Sequence, residues 1–399
     1  MMFPEIGHEI VGYAFPNDVH ILWGLMIVLY PFITGLVAGS FVVSALYHVF
    51  DKKEFKPVGR FSLVLSFCFL VFATLPLLNH LGHPERALNI IITPNFTSAM
   101  AGFGFFYSTY FLIVILEMWF VFRPDIIRIA AESRGIKRFF FAAVALGTYN
   151  TSEGALQYDR KIIKVLATLG IPSACILHGY VGFLFGALKS NPWWSTPLMP
   201  IIFLFSAMVS GIALTIILYM AVMALKRRTI VRECITGLSR WLWTALILTF
   251  TLEFLEIITL AYERSDKWLV IKPLLVSHLT FSYFVLQIGL GAVLPLILLG
   301  LVVGLNKHMS DRLLNIIAAI SAILLIVQVM AMRWNVIIGG QLFSKSLRGF
   351  RLDYNPAFFE KEGILAAIVI LALPFVLFAI IQKVLPIYSD ENNDLKTPP

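Results

Sequence analysis

The sequence predicts an all-α polytopic membrane protein with about nine transmembrane helices, arranged as two four-helix bundles plus a C-terminal helix. Three observations lead there: the composition, the length of the apolar runs, and the distribution of basic residues between those runs. Of the 399 residues, 59% are apolar or aromatic and 14% are charged, with a mean hydropathy of +0.85. A soluble domain is about 45–50% apolar and about 25% charged. The composition therefore excludes an ordinary cytosolic enzyme and a disordered or fibrous chain. The net charge of +8 and pI near 9.3 would suggest nucleic acid in a soluble protein. Here the basic residues sit in short loops between apolar runs, so no nucleic-acid partner is expected and lipid is.

A bilayer core about 30 Å thick needs about 20 apolar residues in a helix. Nine runs qualify, at residues 19–50, 58–79, 101–122, 166–187, 198–225, 238–262, 274–304, 311–334 and 364–386. They must be helices, because lipid offers no partner for an unpaired backbone group. Residues 139–149 are apolar but too short to cross, and read as an interfacial helix in a polar loop. The organisation expected is a first bundle over 1–187, a second over 198–334, and an outer loop, final span and acidic tail over 335–399. The late first apolar run, with no basic flank and no small-residue cleavage site, speaks against a cleavable signal peptide. The loops and tail on the side away from the amino terminus hold 21 of the 31 Lys and Arg. The positive-inside rule then places the amino terminus outside and the carboxyl terminus inside the cytoplasmic membrane.

A weak internal repeat accompanies this pattern. Gly35 and Gly39 are followed by Tyr47 in span one, and Ala207 and Gly211 by Tyr219 in span five. Small residues four apart let helices approach closely.

Polar residues inside apolar runs demand a reason, since a mid-membrane charge costs about 2.5–3.5 kcal/mol on insertion scales. Glu253 and Glu256 share one face of span six, and Glu117 lies near the inner end of span three. Each reads either as a protonated carboxyl bonded to a neighbouring helix or as a step of a proton pathway. The histidines cluster differently. His20 opens span one, His80 and His83 close span two, His178 lies in span four and His278 in the outer part of span seven; Tyr107, Tyr110 and Tyr180 share the outer half. A quinone head needs donors near both carbonyls that can also pass protons, and His, Asn and Tyr near the interface provide them. Haem is disfavoured, because no two histidines have the 13- or 14-residue spacing of two-haem quinol-oxidising cytochromes. Cys68, Cys175 and Cys234 are far apart, so no metal is expected in this chain.

The chain resembles the NrfD/PsrC family of integral membrane quinone-interacting subunits. The resemblance rests on Asn17-Asp18-Val19-His20, His80-Leu81-Gly82-His83-Pro84-Glu85-Arg86, Gly170-Ile171-Pro172 leading to His178-Gly179-Tyr180, Pro192-Trp193-Trp194-Ser195-Thr196-Pro197, and Arg333-Trp334-Asn335-Val336-Ile337-Ile338-Gly339-Gly340-Gln341. The length and the last motif are similar to the longer branch of the DsrP and QrcD style. The resemblance implies a menaquinone or menaquinol site near the outer face of the first bundle. It also implies an extracytoplasmic ferredoxin-like [4Fe-4S] partner, with cytochrome c, molybdopterin or Hdr-like subunits in the same complex. Asn17 and His20 match the family's quinone-contacting entry to span one, with His80, His83, His178 and Tyr110 as further quinone contacts. Glu117, His178, Glu253 and Glu256 are the candidate proton pathway. One departure stands out: relatives commonly have Asp-Leu-Gly-Arg-Pro where this chain has His80-Leu81-Gly82-His83-Pro84. The long 335–363 loop, with Arg333, Lys345, Arg348, Arg351 and Lys361, reads as either solvated or a docking surface for an acidic partner. The alternatives from other classes are a secondary transporter with an intramembrane carboxylate path and an assembly anchor without chemistry.

Overall fold

The computed structural model describes residues 19–388. Within them, nine helices are long and apolar enough to cross a membrane: α1 Leu25–His48, α2 Lys53–His80, α3 Ala99–Glu132, α4 Glu153–Gly186, α5 Met199–Leu225, α6 Arg232–Glu263, α7 Thr280–His308, α8 Asp311–Gly339 and α9 Ile364–Val384. Among the described residues the only extended pairing is an isolated antiparallel bridge, Phe343 with Phe350. The chain is a multi-pass all-α membrane protein.

Helix starts follow local chemistry. The Ser152 hydroxyl accepts from the Ala155 amide at the head of α4, and the Ser310 hydroxyl accepts from the Leu313 amide at the head of α8. Each satisfies one of the amide groups that a first turn leaves free. α2 is interrupted at Ala73 and Thr74, just ahead of Pro76, because proline has no N–H for the carbonyl four residues before it and its ring crowds that carbonyl. Helices α3 and α4 run further than their apolar cores, to Glu132 and from Glu153. Their polar ends are held by ion pairs: a buried one, Arg123 to Asp159 at 2.6 Å, and a half-buried one, Arg60 to Asp125 at 3.0 Å. The extension moves Glu117 from the end of its span to the middle of a 34-residue helix. The short helix between them spans Gly135–Val144, several residues earlier than 139–149. It stops where the chain turns left-handed at Leu146 and Gly147.

The helices close into two rings. In one, α1 packs on α2, α2 on α3, α3 on α4 and α4 on α1; in the other, α5 packs on α6, α6 on α7, α7 on α8 and α8 on α5. The rings meet where α1 and α5 cross and where α4 lies on α5, and α9 packs outside α2. The crossing is made by the repeated small residues. A Cβ on Gly39 would strike the Ala207 carbonyl and Gly211, and one on Gly211 would strike the backbone of Gly39 and Ser40. The Gly35–Gly39 and Ala207–Gly211 repeats are thus the contact between the two rings. Helix α1 lies at the centre, with 94% of its most apolar stretch buried, whereas α6 buries 17% and presents most of its surface outward.

Alternating direction puts residues 19–24, 81–98, 187–198, 264–279 and 340–363 at one end of the bundle, here the His20 face. The 340–363 segment is tied down there. The Gln341 side chain bonds both ways to the Trp23 backbone at 2.9 Å, the Leu25 amide donates to the Tyr354 hydroxyl at 2.9 Å, and the Leu352 amide donates to the Val19 carbonyl at 3.1 Å. Half-burial of Tyr354 pushes its phenol above the usual tyrosine range, so it stays neutral while accepting that bond. Arg333, expected with this loop, belongs to α8 and is completely buried. An arginine ending an apolar run reads as interfacial, but α8 continues past it as a wider π turn over Asn335–Gly339.

Candidate functional site in the upper halves of the two rings

Three groups of predicted residues separate in space. The first lies on the His20 face. His20 is exposed, and its carbonyl accepts from Arg351 at 3.5 Å. His80 is half-buried, with Nδ1 2.9 Å from a carboxylate oxygen of Glu362. The Asn79 amide donates to the Lys361 carbonyl at 2.7 Å and Lys361 Nζ donates back to the Leu81 carbonyl at 3.2 Å. Together these bonds clip the end of α2 to the turn before α9. His83 is exposed and, among the described residues, pairs with nearby Glu85, at 2.9 Å. His278 pairs with Asp353 at 2.8 Å. Asn17 lies outside the described residues.

The second group descends through the first ring. Tyr30, Tyr107 and Tyr110 come from α1 and α3. The Tyr107 hydroxyl donates to the Leu70 carbonyl at the kink of α2, at 2.5 Å. Tyr30 stands edge-on to Phe103, and its buried hydroxyl has no partner among the described residues. Tyr110 is fully buried, edge-on to Phe41. Glu117 lies two turns further along the same face of α3, about 10 Å away at 1.5 Å per residue. It is fully buried, and neither carboxyl oxygen is hydrogen-bonded among the described residues.

The third group joins the rings. His178 does not sit with His20, His80 and His83. Its ring lies against Gly35 of α1, ten residues and so about 15 Å below the start of that helix. Its partner is Arg333, whose Nη2 is 3.2 Å from His178 Nε2, 2.7 Å from the Ser206 hydroxyl and 3.4 Å from the Phe203 carbonyl. The guanidinium also lies 3.8 Å from the Phe203 ring centroid. An arginine can only donate, so His178 Nε2 accepts and the ring proton is on Nδ1, a buried atom with no partner among the described residues. Beyond Arg333, Asn335 donates to Gln287 at 2.8 Å and Gln287 donates to Glu253 at 2.9 Å. Gln287 belongs to the π-helical part of α7, Thr280–Val293, and Asn335 to the π turn of α8. Wide turns of this kind are rare and concentrate at functional positions. Glu256 lies three residues along α6 from Glu253. Both carboxylates, with Tyr283 and Gln287, line a cavity of about 40 Å³, enough for water and too small for a ring.

Sequence reasoning missed Arg333, Tyr30, Gln287 and Glu362 as members of these groups. Arg333 and Gln287 carried a signal, being polar within or directly after apolar runs. Glu362 carried none, because its partner is 282 residues away.

The arrangement can hold polar head groups near the His20 face, hold protons on carboxyls within the rings, and join the two rings through a buried cation. Residues 16–345 match the family model described as polysulphide reductase, NrfD. Over 384 residues the sequence is 31% identical to a subunit of the selenate reductase of Mesobacillus selenatarsenatis, covering 92% of this chain and 87% of that protein. It is 24% identical to an Hdr-like menaquinol oxidoreductase integral membrane subunit of Archaeoglobus fulgidus (90% and 85%) and 23% identical to a component of the polysulfide reductase of Wolinella succinogenes (81% and 95%). With nine spans in place and the family model matched across most of its length, the chain belongs to the NrfD family of membrane subunits of respiratory oxidoreductase complexes.

Proposed function

We propose that this chain is the quinone-reacting membrane subunit of its complex. It exchanges electrons between menaquinone or menaquinol, held in the upper half of the first ring, and an iron–sulfur subunit docked on the His20 face. That face is then extracytoplasmic, with the amino terminus outside and the carboxyl terminus inside, as the basic loops favour. The observation that supports this most is the vertical order in the first ring: titratable groups at the face (His20, and His80 on Glu362), buried tyrosines beneath them, and an unbonded carboxyl at mid-depth. The A. fulgidus relative, named as a menaquinol oxidoreductase subunit, favours the same reading.

The donor set fits a quinone head. The Tyr30 hydroxyl is a buried donor with no protein acceptor among the described residues, and the imidazole is the side chain that changes charge between about pH 5 and 8. A bound quinone supplies two-electron, two-proton chemistry. Within the chain, His80 is held in one orientation by Glu362 and can give or take a proton at Nε2. His20 offers a further ring donor at the same face. Glu117 holds a proton below the tyrosines, and Glu253 and Glu256 hold theirs in the second ring. A ferredoxin-like [4Fe-4S] protein is the expected partner, with a cytochrome c, molybdopterin or Hdr-like subunit behind it. Purifying the complex from its native membrane tests both halves. The expected result is copurified iron–sulfur protein whose clusters are reduced by added menaquinol, or whose reduced clusters are oxidised by menaquinone. A chain that purifies alone and moves a solute across vesicles would overturn the reading in favour of a transporter.

A further inference from the structure

A groove with a cationic lining lies on the His20 face, where the end of α6 meets the helix Asp266–Ser277. Its volume is about 490 Å³. Arg264 stands at its head, the residue that turns left-handed to end α6. Trp268, Lys272 and Val276 follow at four-residue intervals on one face of the next helix, with Leu269 beside them. Arg264 and Lys272 are both exposed, and no carboxylate is among the residues that line the groove. Glu263 and Asp266 flank Arg264 in sequence but stay outside it.

The depth of the groove in the bilayer can be worked out from α6 alone. Helix α6 faces outward along most of its length. It carries Trp241, 36% exposed, near one end and Tyr262, 88% exposed, near the other. Twenty-one residues separate them, about 32 Å at 1.5 Å per residue, which is the thickness of a hydrocarbon core between two aromatic belts, about 30 Å. Arg264 lies two residues beyond Tyr262 and is therefore at the level of lipid head groups. An open cleft at that level, with two cations at its polar edge and Trp268, Leu269 and Val276 along its wall, matches one class of ligand.

We propose that this groove is a binding site for an anionic phospholipid, its phosphate between Arg264 and Lys272 and its acyl chains along Leu269, Val276 and the flank of α6. A zwitterionic lipid brings its own cation to the same place and gains less. The site is independent of the quinone reading, because it shares no residue with the three groups above.

The test uses the full-length protein, purified in detergent with whatever subunits accompany it and stripped of lipid. It is titrated separately with phosphatidylglycerol, phosphatidylcholine and inorganic phosphate. Retained lipid is read by native mass spectrometry, and the unfolding midpoint by a thermal scan. The expected result is that phosphatidylglycerol binds at least about tenfold more tightly than phosphatidylcholine, as two surface cations imply. An Arg264→Ala/Lys272→Ala double variant loses that preference, while Arg264→Lys/Lys272→Arg keeps it. Equal binding of the two lipids, or a preference unchanged in the alanine variant, would overturn the proposal. Saturation by inorganic phosphate at the same affinity would do so too, by making this a site for free anions.

Discussion

At the scale of single residues, Glu362 brings a carboxylate to the end of α2 from 282 residues further along the chain, 2.9 Å from His80 Nδ1. A carboxylate on one ring nitrogen fixes which nitrogen offers or takes a proton. Glu362→Gln is therefore expected to lower quinol-dependent turnover by about tenfold, within the range general acid–base groups supply, with Glu362→Asp retaining more; steady-state kinetics on the purified complex reads both. Arg333 gives a purely physical prediction. It is a buried cation whose partners are neutral: His178, Ser206 and the Phe203 carbonyl. Replacing it with Met relieves its desolvation and keeps much of its volume, so thermal stability should change by less than about 2 kcal/mol. Arg333→Ala also leaves a cavity, and should lose about 2–4 kcal/mol. Equal losses in the two variants would mean that the polar contacts, and not the packing, hold this position. Sequence placed Arg333 outside because a cation after an apolar run has the same local pattern whether the helix ends there or continues.

At the scale of elements, the nine spans were legible because each needs about 20 apolar residues, and that demand is local. Their polar extensions were not, since α3 and α4 are prolonged by the Arg123–Asp159 pair, which joins residues 36 apart. The repeat of small residues was legible as a pattern, but its use was not. Spacing alone cannot say that Gly39 and Gly211 face each other, and their contact joins the two rings. Gly39→Leu would push α1 away from the backbone of α5. The expected loss exceeds the 1–3 kcal/mol typical of overpacking, roughly 3 kcal/mol or more, because backbone cannot repack. Gly82→Leu, where no atom lies within 4 Å of an added Cβ, should be nearly silent. A thermal or denaturant scan in detergent separates the pair.

At the scale of the whole molecule, the histidines that sequence grouped on one level occupy two. His20, His80 and His83 stay at one face, whereas His178 lies about 15 Å deeper and belongs to the bridge between the rings. The bridge joins His178 of the first ring to Arg333 of the second, and the hydrogen-bonded run Asn335, Gln287 and Glu253 lies beside it in the second ring. Only the packing of α4 and α8 against α5 assembles it, which is why no local motif announced it. The account stands on the first ring, at its His20 end. The most direct measurement is the rate of menaquinol-dependent reduction of the partner's iron–sulfur clusters in the intact complex, compared between the unaltered protein and His20→Ala and His80→Ala. The account predicts a fall of at least about tenfold in each, with the complex still assembled. Unchanged rates in both variants would contradict it.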